Sequence, residues 1–150
     1  MKNVIGSLIS VILIFFMLCI TPIFYLSTIE YAKSSMQALS ATRNLVDEVI
    51  DTGTLSDTTL ADYNLLMASM SDYYSVKIIH KAKVVSPDPL RPGYTYTTYV
   101  VVDDLKTFTT GDEIMVIVRP LGENMFQSLS STFLNMRTSR EGFTLVGKVR

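Results

Sequence analysis

The chain has 150 residues, 13 basic and 14 acidic side chains for a net charge of −1, one histidine and one cysteine. Without a basic excess or a long basic run, nucleic acid is not the default partner; one cysteine rules out an internal disulfide, and the length allows one ordinary domain plus a segment. Mean hydropathy is +0.31 although 18% of the residues are charged. Position reconciles the two, because only Lys2 precedes Glu30 and the apolar excess therefore sits at one end.

Residues 3–29 contain no ionisable side chain, and Val4 to Ile29 is dense in Ile, Leu, Phe and Val. A membrane-spanning helix needs about 20 such residues at 1.5 Å each, so the run predicts one span with a few residues to spare. Lys2 lies before it, while Glu30 and Lys33 behind it cancel. That bias leaves the N-terminus cytoplasmic and the rest translocated. A cleavable signal peptide has an apolar core of roughly 7–15 residues and small residues before the cut, and this run is too long and lacks them. A lipoprotein needs a small residue before its cysteine, and Leu18 precedes Cys19. A buried core helix rarely has so long a charge-free stretch. Pro22 predicts a kink that Thr21 can help satisfy.

The helix is expected to continue past the membrane surface. From Ser27 to Ile50 there is neither Pro nor Gly. Ile29, Ala32, Met36, Leu39, Val46 and Val49 recur as a helical stripe, and the pairs Glu30–Lys33 and Arg43–Asp47 are spaced to meet. Gly53 is a candidate C-cap, giving a helix of about 45–50 residues, some 70 Å at 1.5 Å per residue. A second helix is signalled by Ser56 or Asp57 as N-cap. It runs to about Ser71 with Leu60, Tyr63, Met67 and Met70 on one side.

Beyond Tyr74 the period becomes two. Val76, Ile78, His80, Ala82 and Val84 share one face, with Lys77, Lys81 and Lys83 between them, which reads as a solvated strand whose lysines discourage edge pairing. Ser86 to Gly93 is a turn by composition, Tyr94 to Val102 a strand, Thr109 to Asp112 a turn, and Glu113 to Arg119 a strand. Phe126 to Met136 is open between helix and strand, and Phe143 to Val149 reads as a final strand. The expected fold is α+β: a long N-terminal transmembrane helix continuing into a stalk, plus a short helix packed on a mostly antiparallel sheet of three or four strands. The divisions are a transmembrane segment (1–29), an amphipathic stalk helix (30–53) and an extracytoplasmic α+β head (54–150).

Catalysis needs positioned acids, bases or nucleophiles, and none is evident. His80 lies on an apolar strand face and reads as a core-edge residue. Asp103 and Asp104 point to opposite sides of a strand end, and Gly111 stands without a phosphate-binding motif. No enzyme activity, metal, cofactor or small-molecule substrate is expected. The expected partners are the membrane and other protein subunits.

In layout the chain resembles the type IV pilin-like proteins, especially small TadE-like pseudopilins. Lys2, the Val4–Ile29 run with Pro22, the stripe through Val49, and the strand Gly111-Asp112-Glu113-Ile114-Met115-Val116-Ile117-Val118 carry the likeness. It departs from the prepilin pattern of a cleavage glycine followed by a glutamate five residues on, since Gly6 puts Val11 there. The resemblance implies a structural subunit of a surface filament or secretion-type pseudopilus, assembling with copies or relatives through its helix. The residues assigned to that helix are Gly6, Ser7 and Ser10, the small ones, with Phe15, Phe16, Pro22, Ile29, Met36 and Leu39. The alternative is a single-pass accessory or sensor subunit of an envelope complex whose head binds a protein partner.

Overall fold

The structure is a computed structural model describing residues 2–123, 125–135 and 142–150, without the side chains of Lys2, Asn3, Phe133 and Leu134. Three helices and four strands follow in the order α1 (Lys2–Thr52), α2 (Asp57–Ala68), β1 (Tyr74–Pro87), β2 (Thr95–Val102), β3 (Glu113–Pro120), α3 (Met125–Leu134) and β4 (Phe143–Lys148). The strands form one sheet of order β2-β1-β3-β4 with every neighbouring pair antiparallel. The fold is therefore α+β. Two compact units are distinguished: α1 up to Ser35 with α3, and the rest of α1 with α2 and the sheet.

In the first unit, α1 runs through Pro22 without a break. The Ser27 and Thr28 hydroxyls donate back to the Phe24 carbonyl at 3.0 and 2.7 Å, satisfying them inside the helix. The Tyr31 ring stacks on Phe126 of α3 with centroids 5.9 Å apart. Here the segment left open in sequence becomes helix; its end at Met136 lies outside the described residues.

In the second unit the core is one cluster. Ala38, Ala41, Leu45, Val46 and Val49 of α1 meet Tyr63 and Met67 of α2, Leu55, Phe108 and Val149, and Ile114, Val116 and Val118 of β3. β3 alternates as period two requires, with Ile114, Val116 and Val118 fully buried. A glycine in the sheet lets α1 lie close to it. The nearest approach is at Gly147 of β4, where a Cβ would lie 2.5 Å from Val46 Cγ1 and 2.6 Å from Ile50 Cδ1. Thr42 is also buried. Its hydroxyl donates to the Ala38 carbonyl at 2.8 Å, so its remaining bond, 2.9 Å to Tyr63, takes the Tyr63 proton. Burial raises the Tyr63 pKa, and the Thr42 bond opposes that.

Helix ends are closed as the sequence suggests. Gly53, at φ +67°, donates to the Val49 carbonyl and ends α1. The Ser56 hydroxyl accepts the Thr59 N–H at 3.0 Å and caps α2, which stops at Ala68 rather than near Ser71 because Ser69 N–H already returns to Leu65 and Leu66.

Three expectations are corrected. The stripe drawn through Ile29, Ala32, Met36 and Leu39 is not the buried one. Met36 is 73% exposed, and the buried face runs through Ser34, Ala38, Ala41, Thr42, Leu45, Val46 and Val49. At 100° per residue Met36 stands about 160° round the helix from Ala38; bulk was mistaken for burial. β1 is paired on both sides only at His80 and Lys81: Lys77 lies where β1 pairs with β3 alone, Lys83 where it pairs with β2 alone, so of the three lysines only Lys81 sits away from an open side of the strand. The pairs Glu30–Lys33 and Arg43–Asp47 do not close; the ion pairs among the described residues are His80–Asp112 and Lys106–Asp57.

Two substitutions test this core in the full chain in detergent micelles, read as the urea-unfolding midpoint by tyrosine fluorescence. Ile114→Ala is expected to cost about 2–5 kcal/mol. Gly147→Val, which overfills the contact with Val46 and Ile50, is expected to cost about 1–3 kcal/mol.

Candidate functional site

The stretch of α1 from Val4 to the membrane surface is long and apolar enough to cross a bilayer, and none of its most apolar window is buried within the chain. This fits a single-pass membrane protein. In lipid a helix needs no partner to satisfy its backbone, so the exposed apolar surface is stable there as it stands. Gly6, Ser7, Ser10, Phe15, Phe16 and Pro22 are all exposed on it. Gly6 and Ser10 lie one turn apart on one face, with open space over the Gly6 Cα. Phe15 and Phe16 stand about 100° apart and share no patch. Ile29, Met36 and Leu39 are exposed as well, on the side of α1 away from its buried stripe. The structure thus brings Gly6 with Ser10, and Ile29 with Met36 and Leu39. Lys2 opens the helix, its side chain outside the described residues.

The lone histidine sits in a second place with concentrated chemistry. His80 of β1 is 4% exposed and Asp112, just before β3, is 2% exposed. Nδ1 meets the Asp104 backbone carbonyl, Nε2 lies 3.1 Å from Asp112 Oδ2, and the Phe108 ring covers one face at 4.1 Å. Both neighbours are acceptors, so the arrangement is fully satisfied by a ring with a proton on each nitrogen. Asp112 also accepts the Lys83 N–H at 2.8 Å and the Thr109 N–H and hydroxyl, each at 2.8 Å. Burial pushes its carboxyl up, but the Lys83 and Thr109 amides, His80 and the Thr109 hydroxyl outweigh it and hold the pKa well below the usual carboxylate range.

Position explains the cluster. The β1–β3 ladder ends at Lys81↔Glu113, and β1 continues paired only with β2. Asp112 takes the Lys83 amide where β3 no longer can, and His80 ties in the chain leaving β2. With both ring nitrogens engaged and the ring covered, the cluster acts as a clamp on strand connections. Sequence reasoning missed Asp112, which reads as a turn residue in Thr109-Thr110-Gly111-Asp112. The available signal was an acid directly before a mostly apolar strand, in a chain with one histidine.

A groove of about 370 Å³ runs between α1 and α2, lined by Ala41, Leu45, Glu48, Asp62, Tyr63 and Leu66 among others. Thr59 donates across it to Glu48 at 2.7 Å. Asp103 and Asp104 are exposed beyond β2; Asp104 accepts the Lys106 N–H and Thr107 hydroxyl, both at 2.8 Å, a turn rather than a ligand set. Among the described residues no three His, Cys, Asp or Glu side chains come together as metal ligands.

No family model matches the chain, and neither a curated protein nor a solved structure is significantly similar to it.

Removing the clamp's anion in Asp112→Ala leaves His80 and two amides without their acceptor and is expected to cost about 3–5 kcal/mol. Because the folded carboxyl is depressed, its contribution is present above the unfolded value of about 3.9 and is lost as pH falls from there towards the folded value. Unfolding midpoints measured from pH 6 down to about pH 2 should therefore fall more steeply for the native chain than for Asp112→Ala.

Proposed function

We propose that this chain is a pilin-like structural subunit, held in the membrane by the first half of α1 and assembled with copies or relatives through that helix into a surface filament or short pseudopilus. One observation carries the reading: a single unbroken helix is apolar and uncovered over its membrane half and forms the core of a folded head with its other half. Such a helix leaves lipid at little cost if other helices cover it, because helix packing rather than hydrophobic transfer decides association in a bilayer. Gly6 and Ser10 permit close approach, and head-to-tail contacts that do not close generate a fibre. The N-terminus stays cytoplasmic and the head outside, from the charge at Lys2.

The intact mass of the native protein in washed membranes and in sheared surface material tests the reading. A subunit of a filament is found in the sheared fraction, and Gly6→Ile is expected to lower that yield about tenfold, the effect of about 1.4 kcal/mol of lost packing, without lowering the membrane-bound amount. Confinement of the chain to membranes leaves instead an anchored accessory subunit whose head binds a partner.

A further inference from the structure

We propose that the free edge of β2 is an interaction surface for a second copy of this chain, joining two sheets through antiparallel β2–β2 pairing. β2 is the outermost strand on its side of the sheet. In an eight-residue edge strand every second residue points its N–H and C=O away from the ladder, leaving about four of each without a strand partner. Among the described residues, no hydrogen bond other than the ladder to β1 is made by residues 95–102. Proteins usually blunt such an edge with charge, Pro, a bulge or a very short strand. β2 does none of this: it reads Thr-Tyr-Thr-Thr-Tyr-Val-Val-Val, with no charge, no Pro and no Gly. The opposite edge strand, β4, is shorter and carries Lys148.

The strand is also exposed on both faces. On the face it shares with His80, Tyr96 and Val100 are each 49% exposed beside Val84; on the other, Val101 is 62% exposed opposite Lys81. The hairpin that presents it is held in shape, with Asp88 N–H bonded to the Tyr94 carbonyl at 2.8 Å and Leu90 N–H to the Asp88 carboxylate at 2.9 Å. Little ordering remains to oppose pairing.

Charge selects the occupant and its direction. The nearest charges are Arg91 before the strand and Asp103 and Asp104 after it. Antiparallel pairing of two copies sets Arg91 of one towards the aspartates of the other, whereas parallel pairing opposes like charges. A two-fold axis normal to the sheet keeps the two core-side faces continuous. Two registers of equal overlap then remain, centred on Thr98 or Tyr99. The second brings Asp103 into the ladder opposite Thr95. The first keeps it out and places Tyr96 opposite Val100 of the second copy, Thr97 opposite Tyr99, and Thr98 opposite itself, so that aromatic and β-branched residues meet. The register is therefore centred on Thr98.

The proposal does not depend on filament assembly, and disulfide trapping reads the strand edge separately from the helix. Full chains with Cys19→Ser and one added cysteine are oxidised mildly in native membranes. Thr98→Cys brings two Cα atoms about 4.5–5.5 Å apart, within disulfide reach. Tyr96→Cys leaves them about 13 Å apart along the strand, beyond it. Leu65→Cys, exposed on α2, reports chance encounters and contacts driven by the helices. The expected result is about tenfold more disulfide dimer from Thr98→Cys than from either other variant, since only it meets the geometric limit. Equal yields from the three, no dimer from Thr98→Cys, or an adduct with a protein of different mass would overturn the assignment.

Discussion

The contact between the buried face of α1 and the buried face of β3 holds the rest of this protein in place. Thr42 and Ala41 face α2, at the Tyr63 hydroxyl and along the groove beside it, while Val46 and Ile50 meet the sheet at Gly147. Ile114, Val116 and Val118 fill the space opposite with no exposed surface. Close packing of this kind is sensitive to single methyl groups, and Gly147 is where the backbone comes nearest. Because α1 is one helix, the element that anchors the head is also the element that enters the membrane. Its backbone bonds are internal in both settings, which is why the chain can pass from one to the other without a break.

The strand connections of the sheet are fastened to one another by polar groups. β1 is longer than the ladder β3 offers it, and the surplus is bound by an acid instead of a strand. Asp112 accepts from both sides of that junction, while His80 is fixed between a carbonyl and a carboxylate. The groups are buried but their hydrogen-bond partners are complete, the condition under which a buried polar cluster is tolerated. Beyond this clamp β1 and β2 run on as a hairpin with little core beneath them, so the clamp limits how far fraying at the tip can spread inward.

Much of this was legible in the residues. The switch from period 3.6 to period two after Tyr74, Gly53 after a run without Gly or Pro, and Ser56 ahead of Leu60 located α1, α2 and the strands within a few positions. The membrane segment was evident because Lys2 alone carries charge before Glu30. Three features were not. Between Ser34 and Thr42 the buried face of α1 is built of Ser, Ala and Thr, which carry little hydropathy, while Ile29, Met36 and Leu39 carry more and lie outside. Strand order depends on long-range pairing that no local pattern reveals, so nothing in the sequence marked β2, which carries no charge, as an outermost strand. Asp112 acts through a contact 32 residues away in sequence. Of the residues assigned to the helix surface, all are exposed, yet Phe15 and Phe16 form no patch with the others.

The central claim is that one helix is immersed in lipid over its first half and stands outside the membrane where the head begins. Labelling intact cells with a membrane-impermeant maleimide tests it at two positions on the same helix. Native Cys19 is exposed within the chain, so only lipid or neighbouring helices within the membrane can shield it, and Met36→Cys in a Cys19→Ser chain places a thiol on the exposed outer half. The account predicts that Met36→Cys reacts from outside and that Cys19 reacts only after detergent is added; reaction of Cys19 in the intact membrane, or a Met36→Cys thiol unreactive until cells are opened, would contradict it.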